Sequence, residues 1–204
     1  MALSSDALTT LEALKTYLQI SSDENDSFIE SLIEAVSAHF KAYTGRNLTA
    51  RDYSSDPLDQ AYDPDNAILD GSGHADLILP QYPLVSLSTL MIEGTEVDQA
   101  SAGDNFGWTA DRPAGVISLI NGFFPRGRQN VRLAYQAGYQ TVPADLSQAA
   151  LEQTATRFQE SAAGHGRLGI SARTLADGSI SYTQQPLLPQ VREVLDRYRN
   201  RSLL

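Results

Sequence analysis

Apolar residues first recur at helical spacing over Leu11, Leu14, Tyr17 and Leu18. They stand behind Thr9-Thr10-Leu11-Glu12, which reads as a capping box: the Thr9 hydroxyl accepts a free backbone N–H and Glu12 reaches back for another. Ile20-Ser21-Ser22 stops this segment. A second helix is predicted from the acids at Asp23 to Asp26, which suit the positive end of a helix dipole. Its stripe is broad: Phe28, Ile29, Leu32, Ile33, Val36, Phe40 and Tyr43. Gly45 closes it as a left-handed cap.

From residue 46 to 142 the period changes. Asp-Pro, Asp-Gly, Gly-Ser-Gly and Glu-Gly-Thr clusters separate short runs in which Val, Ile and Leu alternate. Antiparallel strands are predicted at Ala75–Leu79, Leu84–Ile92, Gly115–Leu119 and Val131–Tyr135, with a polar loop from Asp56 to Asn66. Helical spacing returns at Pro143, a residue that suits a first helical turn. Ala149, Ala150, Ala155 and Ala162 leave room for close helix approach there, while Leu146 and Phe158 supply bulk. Ser161 to Gly169 is glycine-rich and expected to be mobile. A hairpin is predicted from Ile170–Ala176 and Ser179–Tyr182 around Asp177-Gly178, and a last helix over Leu188 to Asn200 with Val191, Val194, Leu195 and Tyr198 on one face. The pattern predicts an α+β fold: a helical bundle from both ends of the chain (1–48 with 143–204) and an inserted antiparallel β-rich segment (49–142).

Composition narrows the function classes. The chain has 204 residues, 42% of them hydrophobic, enough for a core. No apolar run approaches the roughly 20 residues of a membrane helix. The opening MALSSDALTT has no basic segment followed by an apolar stretch, so a secretory signal is not expected and the chain should act, soluble, where it is made. Without cysteine there is neither a disulfide nor a thiolate metal site. The net charge of −10 is uneven: residues 1–66 hold 12 acids and 4 bases, 67–142 hold 7 and 4, and 143–204 hold 6 and 7. Phosphate contacts need Lys and Arg, so this balance argues against tight sequence-specific DNA binding.

No chemical motif stands in its required context. Gly164-His165-Gly166-Arg167-Leu168-Gly169 spells a dinucleotide fingerprint, but that motif needs a strand before it and a helix after it, and here the order is reversed. Asp56, Asp59, Asp63 and Asp65 lack the ligand series and bend glycine of a calcium loop, and read as a solvated acidic loop. His39, His74 and His165 show no ligand spacing. Ser72 lies two residues from His74 but outside a strand–elbow–helix, where a hydrolase nucleophile would sit. Trp108 reads as a sheet-packing residue. Arg192, Arg197, Arg199 and Arg201 crowd the last helix; they complement its C-terminal dipole, with a Glu193–Arg197 pair, or form a docking surface.

The whole chain resembles the head–tail connector (adaptor) proteins of long-tailed bacteriophages. The residues that carry the resemblance run from Leu11-Glu12-Ala13-Leu14-Lys15-Thr16-Tyr17-Leu18, through Tyr43-Thr44-Gly45-Arg46, to Leu79-Pro80-Gln81-Tyr82-Pro83-Leu84-Val85. Tyr135-Gln136-Ala137-Gly138-Tyr139, Val142-Pro143-Ala144-Asp145-Leu146 and Ile180-Ser181-Tyr182 continue it. The resemblance implies a structural virion protein that forms a ring under the portal and extends the DNA channel toward the tail. Its implied partners are the portal protein, a stopper or tail-completion protein and copies of itself, with genomic DNA passing through unbound in sequence-specific terms. No cofactor, metal, membrane or catalytic residue is implied. The implied location is the head–tail junction of the virion, and the bacterial host cytoplasm during assembly. A portal-facing surface is expected at Arg192, Arg197, Arg199, Arg201, Ile180 and Tyr182, and a subunit contact at Ala149, Ala150, Phe158, Arg126 and Arg128. Truncation after Tyr182 is expected to abolish portal attachment and leave the subunit folded. The alternatives are another tail-completion or stopper ring and, in a different class, a small metal-dependent hydrolase using the Asp56–Asp65 carboxylates.

Overall fold

The computed structural model describes residues 3–161, 172–175, 178–181 and 186–200. In chain order the elements are α1 (Leu11–Leu18), α2 (Asp26–Thr44), β1 (Arg51–Ser54), α3 (Pro64–Ala67), β2 (Ile68–Gly71), β3 (Asp76–Ile78) and β4 (Leu84–Ile92). There follow β5 (Thr95–Glu96), β6 (Gly107–Asp111), β7 (Val116–Ile120), β8 (Gly127–Ala137), α4 (Ala144–Glu160), β9 (Ala172–Leu175), β10 (Gly178–Ser181) and α5 (Pro189–Arg197). This is an α+β fold. The chain forms two compact units: Met1–Gly45 with Val142–Arg199, and Arg46–Thr141 with Asn200–Leu204.

In the helical unit, α4 touches α1, α2 and α5. Its alanines permit that: Ala149, Ala150 and Ala155 are buried beside Leu146, Leu151, Thr154 and Phe158, and small side chains let neighbouring backbones come close. Leu14, Ile29, Ile33, Leu151, Ala155 and Phe158 form one core cluster. The Phe28 and Phe158 rings meet at 6.3 Å. The α1 cap lies one residue later than the sequence pattern indicates. Thr10 is extended and its hydroxyl accepts from the Ala13 N–H at 3.2 Å, whereas the Thr9 hydroxyl is buried without a hydrogen-bond partner. Glu12 therefore serves the helix dipole instead of completing a box. Gly45 ends α2 with φ +69° and its N–H on the Lys41 carbonyl. Pro143 precedes α4 as its N-cap and stands outside the first turn.

α5 belongs to this core. Val191 and Leu195 are fully buried, and the Leu188 N–H donates to Gln153 Oε1 at 3.0 Å. Tyr43 and Tyr198 donate their hydroxyls to Asp196 and Asp145, each at 2.6 Å. Removing everything after Tyr182 would strip these contacts, so the expectation that such a truncated subunit still folds is corrected here. β9 and β10 form an antiparallel pair with Gly178 opposite Leu175. Gly178, expected as a turn residue, is already strand.

The β unit is organised by β8. Along one edge it pairs with β1 and then β2, and along the other with β4, all antiparallel; β4 continues into β5 through a hairpin. A second, three-stranded sheet runs β3-β7-β6. Alternate residues of β8 (Val131, Leu133, Tyr135 and Ala137) enter a core with Tyr53, Leu77, Leu90, Trp108, Ile117 and Phe124. β8 is longer than its apolar stretch because pairing with β2 carries it back to Gly127. β1, β2, β5 and β6 lie outside the strands predicted from pattern, and α3 interrupts the predicted loop. Gly138, after β8, has φ +111°, and a Cβ there would stand 2.2 Å from the Thr49 carbonyl oxygen. Only glycine fits that approach.

A buried polar network pins the first loops of this unit. Asp63 caps α3 and accepts from Asn66 Nδ2 at 2.9 Å. Gln81 Nε2 donates to Asn66 Oδ1 at 3.0 Å, and the Asn47 N–H donates to Gln81 Oε1 at 2.9 Å. Asn47 Nδ2 reaches the Tyr53 hydroxyl at 2.5 Å. Tyr53 stacks on Tyr135 at 5.1 Å, and the Tyr135 hydroxyl donates to the Asn66 carbonyl at 3.0 Å. Burial, then the neighbouring Tyr53 and Asp63, push the Tyr135 phenol well above its ordinary pKa, so it stays a donor. Asn66→Ala leaves the buried Gln81 amide without its acceptor and should lower stability in urea denaturation by about 1–3 kcal/mol. Asp65→Ala, at an exposed position, should change it by no more than about 0.5 kcal/mol.

Candidate interaction surfaces

The polar groups that might have been reactive are spent on local structure. Among the described residues no group of three or more His, Asp or Glu is placed to hold a metal ion. Asp56 accepts from the Leu58 N–H at 2.9 Å and Asp59 from the Ala61 N–H at 3.0 Å, while Asp63 caps α3. The Ala61 N–H, assisted by the Ser54 hydroxyl, holds Asp59 below the usual carboxylate range. Ser72 Oγ accepts from the His74 backbone N–H at 3.3 Å, a turn contact within 72–74. Trp108 is buried in the β-unit core. The glycine-rich 161–169 segment, with its fingerprint-like 164–169 run, lies outside the described residues beyond Ser161.

The predicted portal-facing residues divide three ways. Arg192, Arg197 and Arg199 are exposed on α5 and the turn after it. Arg197 lies 3.8 Å from Asp145, and the Arg199 guanidinium stands 5.7 Å from the Tyr43 ring centre. Ile180 falls in β10. Arg201 and Tyr182 are outside the described residues.

Of the predicted subunit contacts, Ala149, Ala150 and Phe158 are buried within the helical unit itself. Their size is used by α4 against the chain's own helices, which corrects their reading as an outward face. Arg126 and Arg128 are exposed.

Several exposed apolar residues escaped the pattern analysis. Leu58 is 93% exposed, Phe123 63% and Phe106 58%, with Tyr62 also open to solvent. All lie between the named strands and helices, where an apolar residue breaks no period; a Pro-Leu-Asp and a Gly-Phe-Phe-Pro in polar surroundings were the available signals. Charge is also segregated along the β unit. Residues 52–111 contain twelve Asp or Glu and no Lys or Arg, and residues 112–141 contain Arg112, Arg126, Arg128 and Arg132 and no acid. In the helical unit a cavity of about 420 Å³ opens among Phe28, Leu32, Arg157, Pro186 and Leu188.

The β unit thus carries exposed apolar residues and sorted charge. The family model described as Head completion protein matches residues 7–201, and the chain belongs to that family of head–tail connector proteins. As such it is a structural component of the head–tail junction. No curated protein matches it by sequence. Its fold is shared with the neck of the empty GTA particle computed with C6 symmetry, at 16% identity and TM-score 0.55 over 98% of this chain and 93% of that one. The neck of the native GTA particle computed with C12 symmetry gives 18%, 0.55, 98% and 92%. The virion of the native gene transfer agent particle gives 16%, 0.53, 98% and 93%. No helix among the described residues is long and apolar enough to cross a membrane.

One titratable contact bears on how the helical unit responds to acid. His39 Nδ1 lies 2.9 Å from Arg157 Nη2. Burial, and then the Arg157 charge, lower the His39 pKa below its ordinary 6.5. Between that lowered value and 6.5 the unfolded chain binds more protons, so the native state is favoured above this window and loses stability as pH falls through it. The urea midpoint should therefore decline on going from about pH 7.5 to about 5.5. His39→Gln, which cannot be protonated, should decline less over the same range.

Proposed function

We propose that copies of this chain close into a ring beneath the portal, extend the DNA channel toward the tail, and act by fit with no bond-making centre. The match to the head completion family across residues 7–201 is the observation that carries this reading. Head-to-tail contacts between identical subunits close by rotation into rings. The partners are the portal on one side and a stopper or tail-completion protein on the other, with assembly in the bacterial host cytoplasm. The net charge of −10 suits a channel wall that repels phosphates and lets the genome slide. The exposed α5 arginines supply the portal-facing charge.

Light scattering and electron imaging of the purified chain, alone and with a portal assembly, test this directly. A ring seated on the portal is the expected result; association with a tail tube and none with the portal would refute it. Arg192→Glu should weaken portal co-sedimentation about tenfold or more while the circular dichroism spectrum stays unchanged, since that side chain is exposed. Duplex DNA at low salt should bind more weakly than about micromolar; submicromolar affinity would end the repulsive-wall idea.

A further inference from the structure

We propose that neighbouring copies meet through the β unit, the Phe123–Arg126–Arg128 corner of one copy seating on the Leu58–Tyr62 loop of the next. This deepens the ring reading and rests on it.

The corner is built to project. Phe123 is 63% exposed. The Arg126 stem lies across Gly73, where a Cβ would stand 2.8 Å from Arg126 Cγ, so the chain keeps that site clear for it. Pairing of β8 with β2 at Gly71–Gly127 fixes the base of the corner. Among the described residues neither Arg126 nor Arg128 has an ion-pair partner within the chain.

The loop has the complementary character. Asp56 and Asp59 each tie back a local N–H, and that shapes the turn that leaves Leu58 93% exposed. Asp56 and Asp59 flank Leu58 in the chain, Asp65 follows in α3, and no base occurs between 52 and 111. Exposed apolar anchors rimmed by charge are the usual make-up of a protein contact.

Within one chain both patches stay exposed, and they are anchored at different points of β8. The Ser55 N–H bonds the Leu133 carbonyl, whereas the corner adjoins Gly127 at the start of β8. Six residues of strand separate these anchors by about 20 Å. The complement of each patch is therefore found on another copy, in a head-to-tail contact that repeats around a ring.

The chain has no cysteine, so Leu58→Cys and Phe123→Cys make clean probes. A mixture of the two single variants treated with a short bismaleimide should give a covalent heterodimer. The double variant should give a ladder reaching the ring size, and neither single variant alone should cross-link. Charge exchange supplies an independent arm. Arg126→Glu with Arg128→Glu, and Asp56→Lys with Asp65→Lys, should each reduce ring formation about tenfold or more. Mixing the two reversed chains should restore rings of even subunit number. Rings of the double-cysteine chain that lack the 58–123 cross-link, or reversed chains that assemble normally, would overturn this contact and leave the ring reading intact. An unsubstituted chain that forms no ring even on a portal would remove the ring reading, and this contact with it.

Discussion

Residues 127–160 hold both organising elements of the molecule, and the burial each achieves is the constraint on which the rest depends. β8 is an eleven-residue strand paired along both edges, so its backbone groups are satisfied by three other strands and its alternate side chains enter one core. α4 does the same for the helices: eight of its residues are buried and it touches three other helices. Bulky side chains in place of its alanines would hold those helices apart. Between the two elements lies only the stretch from Gly138 to Pro143, opened by a glycine that backs directly onto the Thr49 carbonyl.

With both centres committed to packing, contact surfaces are left to the periphery. The β unit shows how a loop is made rigid enough for that purpose. The chain from Asp63 through Asn66 and Gln81 to Asn47, under the stacked Tyr53 and Tyr135, anchors the base of the 55–66 segment. Local carboxylate caps then shape its tip. Carboxylates that look like a cation site in the sequence are turn-forming groups in the structure. Buried hydrogen bonds of this kind favour one arrangement because any other leaves a polar group without a partner, and a surface held still loses less entropy when it docks.

The charge pattern belongs to the same account. An overall excess of acid disfavours close approach to phosphates, and several of the arginines fall in two exposed groups. Arg126 and Arg128 stand at the corner where β8 begins, and Arg192, Arg197 and Arg199 are exposed on α5 and the turn after it. Arg197 on α5 and Arg199 just after it also approach Asp145 and Tyr43, so these exposed side chains take part in the fold. Deleting α5 would therefore disturb the helical unit itself.

What the chain determines by itself is whatever one buried face imprints as a period. The α2 stripe, its Gly45 cap and the limits of β4 could be read directly, because a 3.6- or 2-residue rhythm over many positions has few interpretations. The α+β class followed from the change of rhythm at residue 46. Tertiary structure alone decided the rest. Arg51–Ser54 and Gly107–Asp111 become strands only because a partner strand lies alongside, and so short a segment carries too few alternations to announce itself. Thr10, extended where the helix begins, took the place of Thr9 as the α1 cap, which composition does not encode. Ala149, Ala150 and Phe158 turned inward and Leu58 and Phe123 outward for a similar reason: whether an apolar residue is covered depends on what the distant chain brings to it, and that is a property of the folded whole.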